Sequence, residues 1–151
     1  MKLKLNKTLR QKIKANPVSA KAVVISEGKI LMLRQQNGNW DLPGGKVNDD
    51  ESVIEALIRE VREETSLSVK PVELLSTGKK RRENEEDLLV LSYLCEVHVK
   101  TSSRKVRLSE EHVEYKMIDL GKALSLPLHA HYVQALREAR KHIRKSTPSA
   151  A

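Results

Sequence analysis

WDLPGGKVNDDESVIEALIREVREETSL, residues 40–67, divides into a strand end, a glycine turn and a helix. Ile54, Leu57, Ile58 and Val61 fall at i, i+3, i+4 and i+7, the spacing of one apolar helix face. Ser52 and Glu55 stand three residues apart at its start, as a capping box requires, so a helix is predicted over residues 52–65. Trp40 to Leu42 reads as a short strand, and Pro43-Gly44-Gly45 as a turn whose glycines permit close backbone approach. At about 100° per residue, Glu60, Glu63 and Glu64 cluster on one side of this helix, beside the apolar stripe rather than opposite it. Like charges three or four apart cost about 0.2–0.5 kcal/mol per pair. Carboxylates in the last turn also oppose the negative end of the helix dipole. Arg59, four residues before Glu63, offsets only part of this. These three residues alone leave two readings open, a solvated Glu-rich helix end, which is the commoner case, and a bound cation, for which Mg²⁺ fits because it prefers oxygen ligands and bridges carboxylates to phosphates.

Outward from this stretch, Ser19 to Ser26 and Lys29 to Gln35 read as two strands of a hairpin separated by Glu27-Gly28. Val69 to Ser76 and Leu88 to Val97 are further strands, joined by the charged loop KKRRENEED at residues 79–87. The near-continuous apolar run of the second predicts burial on both faces, with Cys95 as core. Val113 to Ile118 reads as another strand. After a connection punctuated by Gly and Pro, Tyr132, Leu136, Ala139 and Ile143 mark a final helix. The order predicts an α+β fold with a mixed sheet. Three segments follow: a basic arm at residues 1–17 ended by Pro17, one domain over residues 18–145, and a small polar tail at residues 146–151.

A chain of 151 residues is long enough for one core of ordinary size and too short for two domains. With 39% hydrophobic and 32% charged residues, and no run near the ~18 apolar residues of a membrane span, it reads as a globular protein without a span. No unbroken apolar run of the length of a secretory signal core follows the basic start. The lone Cys95 closes no internal disulfide, which points to a reducing, cytoplasmic setting. The net charge of +8 suggests a phosphate-bearing partner, but its distribution matters more than its total. Residues 1–26 carry seven bases and no acid, residues 27–78 six bases against ten acids, and residues 127–151 five bases against one acid. The positive excess is thus terminal and the centre is acidic. With no Phe, one Trp and three Tyr, rings for stacking single-stranded nucleic acid are scarce, so RNA is the less favoured partner.

Gly45, Glu51, Arg59-Glu60-Val61, Glu63-Glu64 and Ser66-Leu67 reproduce, at their spacing, nearly the whole signature of the Nudix hydrolases, and the chain resembles that family. At average residue usage the Gly, the Arg and the four Glu match by chance about once in ten million start positions, which excludes coincidence. The resemblance implies the MutT-like α/β/α sandwich with a mixed sheet. It implies Glu60 and Glu64 as principal metal ligands, Glu63 assisting them, Arg59 holding the glutamates in register, and Glu51 where the loop returns. The Gly44 carbonyl is then expected to complete the metal shell. Gly44, Gly45, Lys46 and Trp40 are expected on the substrate side. Glu63 ranks slightly ahead as general base, with Glu110 or Glu111 from a distal loop as the competing choice. In such a site Mg²⁺, or Mn²⁺ in its place, neutralises a pyrophosphate and activates a water. Ser66 departs from the family's usual glycine, at a helix end where positive φ is commonly needed.

The five histidines show no Cys and His spacing for structural zinc, and His112 stands out for its loop position. The expected substrate is a nucleotide-type small molecule, a nucleoside triphosphate by subtraction. The proline and tyrosine associated with many ADP-ribose and diadenosine polyphosphate hydrolases are absent. The alternatives are an ADP-ribose, dinucleoside polyphosphate or capped-RNA hydrolase, or an RNA or protein binding module on the same scaffold.

Overall fold

The hairpin read at Glu27-Gly28 is present in the computed structural model, which describes residues 6–7, 17–98 and 106–146. β1 (Val18–Ser26) and β2 (Lys29–Gln35) are joined through Glu27 at φ 52° and Gly28 at φ 76°, the left-handed pair that a tight hairpin needs. β3 (Trp40–Asp41), β4 (Gly44–Lys46) and helix α1 (Val53–Thr65) follow, then β5 (Val69–Lys80), β6 (Leu88–Val97) and β7 (His112–Asp119). Helices α2 (Leu120–Leu124) and α3 (Ala130–Ser146) close the order. The basic-arm reading at residues 1–17 and the tail reading at residues 146–151 lie almost wholly outside the described residues.

β1 is the hub of a mixed sheet. It runs parallel to β6, from Val18 opposite Leu89 to Ile25 opposite Glu96. On its other edge it pairs antiparallel with β2 near Ser26 and with β4 near Ala20. β5 flanks β6, and β7 and β3 flank β2. Both faces of the central strands are buried. Ala20, Ala22 and Val24 of β1 point with Leu91 and Tyr93 of β6 toward Leu57 and Val61 of α1. Val23, Ile30, Met32 and Val90 point the other way, against Tyr132, Ala135, Leu136 and Ala139 of α3. This is the α/β/α sandwich, with α1 on one face and the C-terminal helices on the other. Each fully buried Leu, Ile or Val contributes about 1.5–3 kcal/mol, so the double-sided strands carry most of the stability.

Three expectations change. Pro43-Gly44-Gly45 is not a free turn, because Gly44 and Gly45 pair with Lys21 and Ala20 in β4. β5 runs four residues past Ser76 to Lys80, since Thr77 to Lys80 pair with Leu91 to Leu88 and draw half of the basic run into the sheet. Part of the Gly and Pro connection forms the short helix α2.

The capping box is present: Glu55 N–H donates to Ser52 Oγ at 3.1 Å, and Ser52 N–H to the Glu55 carboxylate at 3.4 Å. At the other end Ser66 adopts φ 65°, ψ 11° and donates its N–H to the Arg62 carbonyl at 2.8 Å. A left-handed residue other than Gly costs about 1–2 kcal/mol, of which a glycine returns part through unfolded-state entropy. Ser66→Gly is therefore expected to raise Tm by about 1–3 °C, as scanning calorimetry will read. An unchanged or lower Tm would show that this turn is not strained.

Candidate active site

α1 runs beside β4, and the absence of side chains at Gly44 and Gly45 lets two glutamates reach the backbone of that strand. Glu64 is 3% exposed, and its Oε1 accepts the Gly44 N–H at 2.6 Å. Glu60 lies over Gly45, where a Cβ would sit 2.5 Å from the Glu60 Cδ. Gly44 is at φ +137°, and a Cβ there would collide with the Ala20 carbonyl oxygen and lie 2.8 Å from Lys21 Cα. Only glycines build this junction.

Arg59 gathers the remaining acids. Its guanidinium donates twice to Glu51, at 3.0 and 2.6 Å, and to Glu60 at 3.0 Å, Glu63 at 3.2 Å and the Lys46 carbonyl at 3.2 Å. The two-pronged contact and the Asn48 N–H bring the Glu51 carboxyl down to about 2. Arg59 thus ties the loop after β4 to the helix. The side chain of Glu63 is 59% exposed.

A cleft of about 460 Å³ opens over the other side of Glu64, lined by Lys21, Asp41, Gly44, Glu64, Glu111 and His112, with the amides of Gln35, Gln36 and Asn37 at its edge. Glu64, Glu111 and His112 present ligand atoms that all lie within 4.8 Å of one another. A register shift in the β2–β7 ladder at Arg34/Gln35 aims His112 inward, leaving Val113 half exposed. His112 is 5% exposed, and among the described residues neither ring nitrogen has a hydrogen-bond partner. They lie 3.6 Å from Asp41 Oδ2 and Glu64 Oε2, beyond hydrogen-bond length. Oxygen-rich donors converging on glycine backbone, with an unsatisfied imidazole beside them, fit a divalent cation.

Beneath this cluster Lys21 is 8% exposed. Its ammonium donates to both Asp41 oxygens at 3.2 and 3.3 Å, and to the carbonyls of Leu42 at 3.1 Å and Gly44 at 3.4 Å. Burial opposes its charge, but Asp41, Tyr132 and Glu64 outweigh it and hold Lys21 above the usual lysine range. Burial likewise opposes the Asp41 charge, and Lys21 overrides it, keeping that carboxyl well below the usual range. For Glu64 burial wins over Lys21 and the Gly44 N–H, raising the carboxyl to about 7.

The sign of that shift has a measurable consequence in metal-free protein. A carboxyl raised from 4.5 to about 7 on folding favours the folded state fully below pH 4.5, and this contribution is lost as pH rises to 7. Wild type is expected to lose stability relative to Glu64→Gln across pH 4.5–7 in chelator, by denaturant titration. Parallel curves would remove the shift.

Of the residues expected from sequence, Glu51, Arg59, Glu60, Glu63 and the Lys46 carbonyl meet in one network, and Glu64, Gly44 and Glu111 meet at the cleft. Glu63 and Lys46 are not among the cleft-lining residues. Trp40 packs against the α3-side core with Lys116 Nζ 5.2 Å from its ring, also away from the cleft lining. Lys21 and Asp41 were not expected. Lys21 counted as part of a terminal basic excess, yet it is internal. The available signal was a lysine inside the apolar run SAKAVVIS, where both strand faces are covered.

Glutamates seated on two strand glycines, with an arginine holding them and a cleft alongside, form a site that fits a divalent cation. Residues 15–139 match the NUDIX domain family, and the chain belongs to it, a family of hydrolases of phosphoanhydride bonds that generally work with divalent metal ions. The crystal structure of a MutT protein from Methanosarcina mazei Go1 superposes with TM-score 0.72 at 32% identity, covering 84% of this chain and 95% of that one. The asymmetrical bis(5'-nucleosyl)-tetraphosphatase of Mus musculus is 29% identical over 127 residues, 80% of this chain and 84% of that protein. The 8-oxo-dGDP phosphatase NUDT18 of Danio rerio is 41% identical over 54 residues, which span 33% of this chain and only 17% of that protein.

Proposed function

We propose that this Nudix hydrolase cleaves the pyrophosphate linkage of a nucleoside diphosphate derivative, with a nucleoside triphosphate as leading substrate and Mg²⁺, replaceable by Mn²⁺, as the ion. The observation that carries the reading is the seating of Glu60 over Gly45 and of Glu64 on the Gly44 N–H, which sets two carboxylates of one helix against adjacent residues of β4.

Glu60, Glu64 and the Gly44 carbonyl would hold the ion, which would supply charge neutralisation for a diphosphate and a more acidic water. Arg59 keeps Glu60 and Glu63 in register and leaves Glu51 as its own counter-ion. Glu111, exposed at the cleft, is the better placed proton acceptor, because Glu63 is held by Arg59 and is not among the cleft-lining residues. Gln36 and Asn37, which also line the cleft, are the polar residues we assign to the part of the substrate beyond the reacting phosphate.

A second reading has specific support. The likeness to a tetraphosphatase runs along 84% of that protein, which favours a dinucleoside polyphosphate as the competing substrate. Products separate the two: a nucleoside triphosphate yields monophosphate and pyrophosphate, while asymmetric cleavage of a dinucleoside tetraphosphate yields a triphosphate and a monophosphate. A Mg²⁺-dependent screen that also includes oxidised triphosphates, ADP-ribose and capped RNA, read by mass spectrometry, decides. Absence of turnover throughout, in protein shown to bind Mn²⁺, would turn the reading toward a binding module.

A further inference from the structure

Five contacts close a ring beneath the cleft. Lys21 Nζ meets Asp41 at 3.2 Å, Asp41 faces His112 at 3.6 Å, and His112 faces Glu64 at 3.6 Å. Glu64 then accepts the Gly44 N–H at 2.6 Å, and the Gly44 carbonyl returns to Lys21 Nζ at 3.4 Å. The five members come from β1, β3, β7, α1 and β4, so the ring joins five of the six strands and helices that line the cleft, β2 with Gln35 being the sixth. Its residues are at most 8% exposed, apart from the backbone contribution of Gly44.

A lysine in mid-strand between Ala20 and Ala22 is an expensive choice. Replacing a buried ion pair by apolar residues is often neutral or stabilising, so a fold alone does not call for it. What Lys21 does is specific to the site. Its ammonium pairs with the buried carboxylate of Asp41, lies in the field of buried Glu64, and contacts the carbonyls of Leu42 and Gly44 on either side of Pro43. Gly44, at φ +137°, has no side chain to lock its peptide orientation. Lys21 on the carbonyl and Glu64 on the N–H lock it from both sides.

We propose that Lys21, through Asp41 and the Gly44 carbonyl, is a positioning residue for the metal site: an internal cation that holds Glu64 and the Gly44 peptide in their receiving geometry before a divalent ion arrives. This rests on the metal reading given above. It assigns no contact between Lys21 and substrate.

The test is Mn²⁺ binding followed by electron paramagnetic resonance, which needs no turnover. Lys21→Met keeps the length of the side chain and removes its charge, and Lys21→Met combined with Asp41→Asn also removes the carboxylate left without its partner. Leu136→Ala, in the α3-side core, serves as a control that lowers the melting temperature without touching the ring. The Mn²⁺ Kd is expected to rise at least tenfold, with an altered bound-ion spectrum, in the folded Lys21 variants, and to stay within twofold in Leu136→Ala. A folded double variant with wild-type Kd and spectrum would overturn the positioning role. So would a double variant that fails to fold, since Lys21 would then be purely structural. Glu60→Gln provides the separate check: unchanged Mn²⁺ binding there overturns the metal reading itself, whereas weakened binding there beside an unchanged Lys21 double variant overturns only the positioning role.

Discussion

Glu60→Gln is expected to lower kcat/KM by about 10³-fold or more, a loss of roughly 4 kcal/mol of transition-state stabilisation, with little change in melting temperature. The substitution keeps the side chain's shape over Gly45 and its contact with Arg59 through an amide oxygen, while removing the charge that a divalent ion would meet. Because the Glu60 side chain is only 18% exposed and sits with Arg59, whose strongest partner is Glu51, the fold loses one ion-pair contact and no packing. The loss should fall mainly on kcat at saturating metal, and raising Mg²⁺ should recover part of it if the defect is in affinity. Steady-state kinetics against metal concentration reads both. A decrease smaller than about tenfold would remove Glu60 from the principal ligands.

The second large effect separates two adjacent glycines. Gly44→Ala puts a methyl into the Ala20 carbonyl and against Lys21 Cα, backbone that cannot yield, at a φ that L residues avoid. It should cost several kcal/mol, on the order of the large losses tied to backbone strain, and much of the protein should be unfolded or aggregated. At Gly45→Ala the nearest atoms the methyl meets are those of the Glu60 carboxylate, at 2.5–2.9 Å, and that carboxylate can swing away. The fold should survive with Tm lowered by a few degrees at most, while activity falls about 10²-fold or more because Glu60 is displaced. Melting curves and kinetics on the pair give the answer. Equal damage to stability in both would mean that Gly45 is a folding residue and that its lack of a side chain is not there to seat Glu60.

The helix that carries the glutamates was legible because periodicity, capping and charge all pointed one way. Leu57 and Val61 are core, Ser52 and Glu55 close the box, and Ser66 takes the left-handed conformation that a family glycine would. Strands of the sandwich were legible for the same reason, since β6 is apolar at nearly every position and is buried on both faces. Pairing was not. A run such as Pro43-Gly44-Gly45 looks like a turn locally, and only β1 makes it a strand. Lys21 and Asp41 are 20 positions apart and belong to different strands, so no spacing rule brings them together. His112 was noticed for its loop, but its inward aim depends on a bulge that only the β2–β7 register reveals.

The parallel pairing of β1 with β6 also bears on how the molecule reaches its final state. Val18 lies opposite Leu89, so the central ladder joins parts of the chain separated by most of the domain, a long-range closure that slows folding relative to local hairpins. The β1–β2 and β5–β6 hairpins can form early, each from neighbouring residues. β4 and α1 are then trapped in the connection between them and find their places only as β1 docks on β6. A chain halted before Leu88 has the four clustered glutamates, Arg59 and both glycines, yet lacks the strand that holds β1 in register and the His112 strand beyond it. Phosphoanhydride hydrolysis is therefore a late reporter in refolding, expected to recover after helical circular dichroism has already returned.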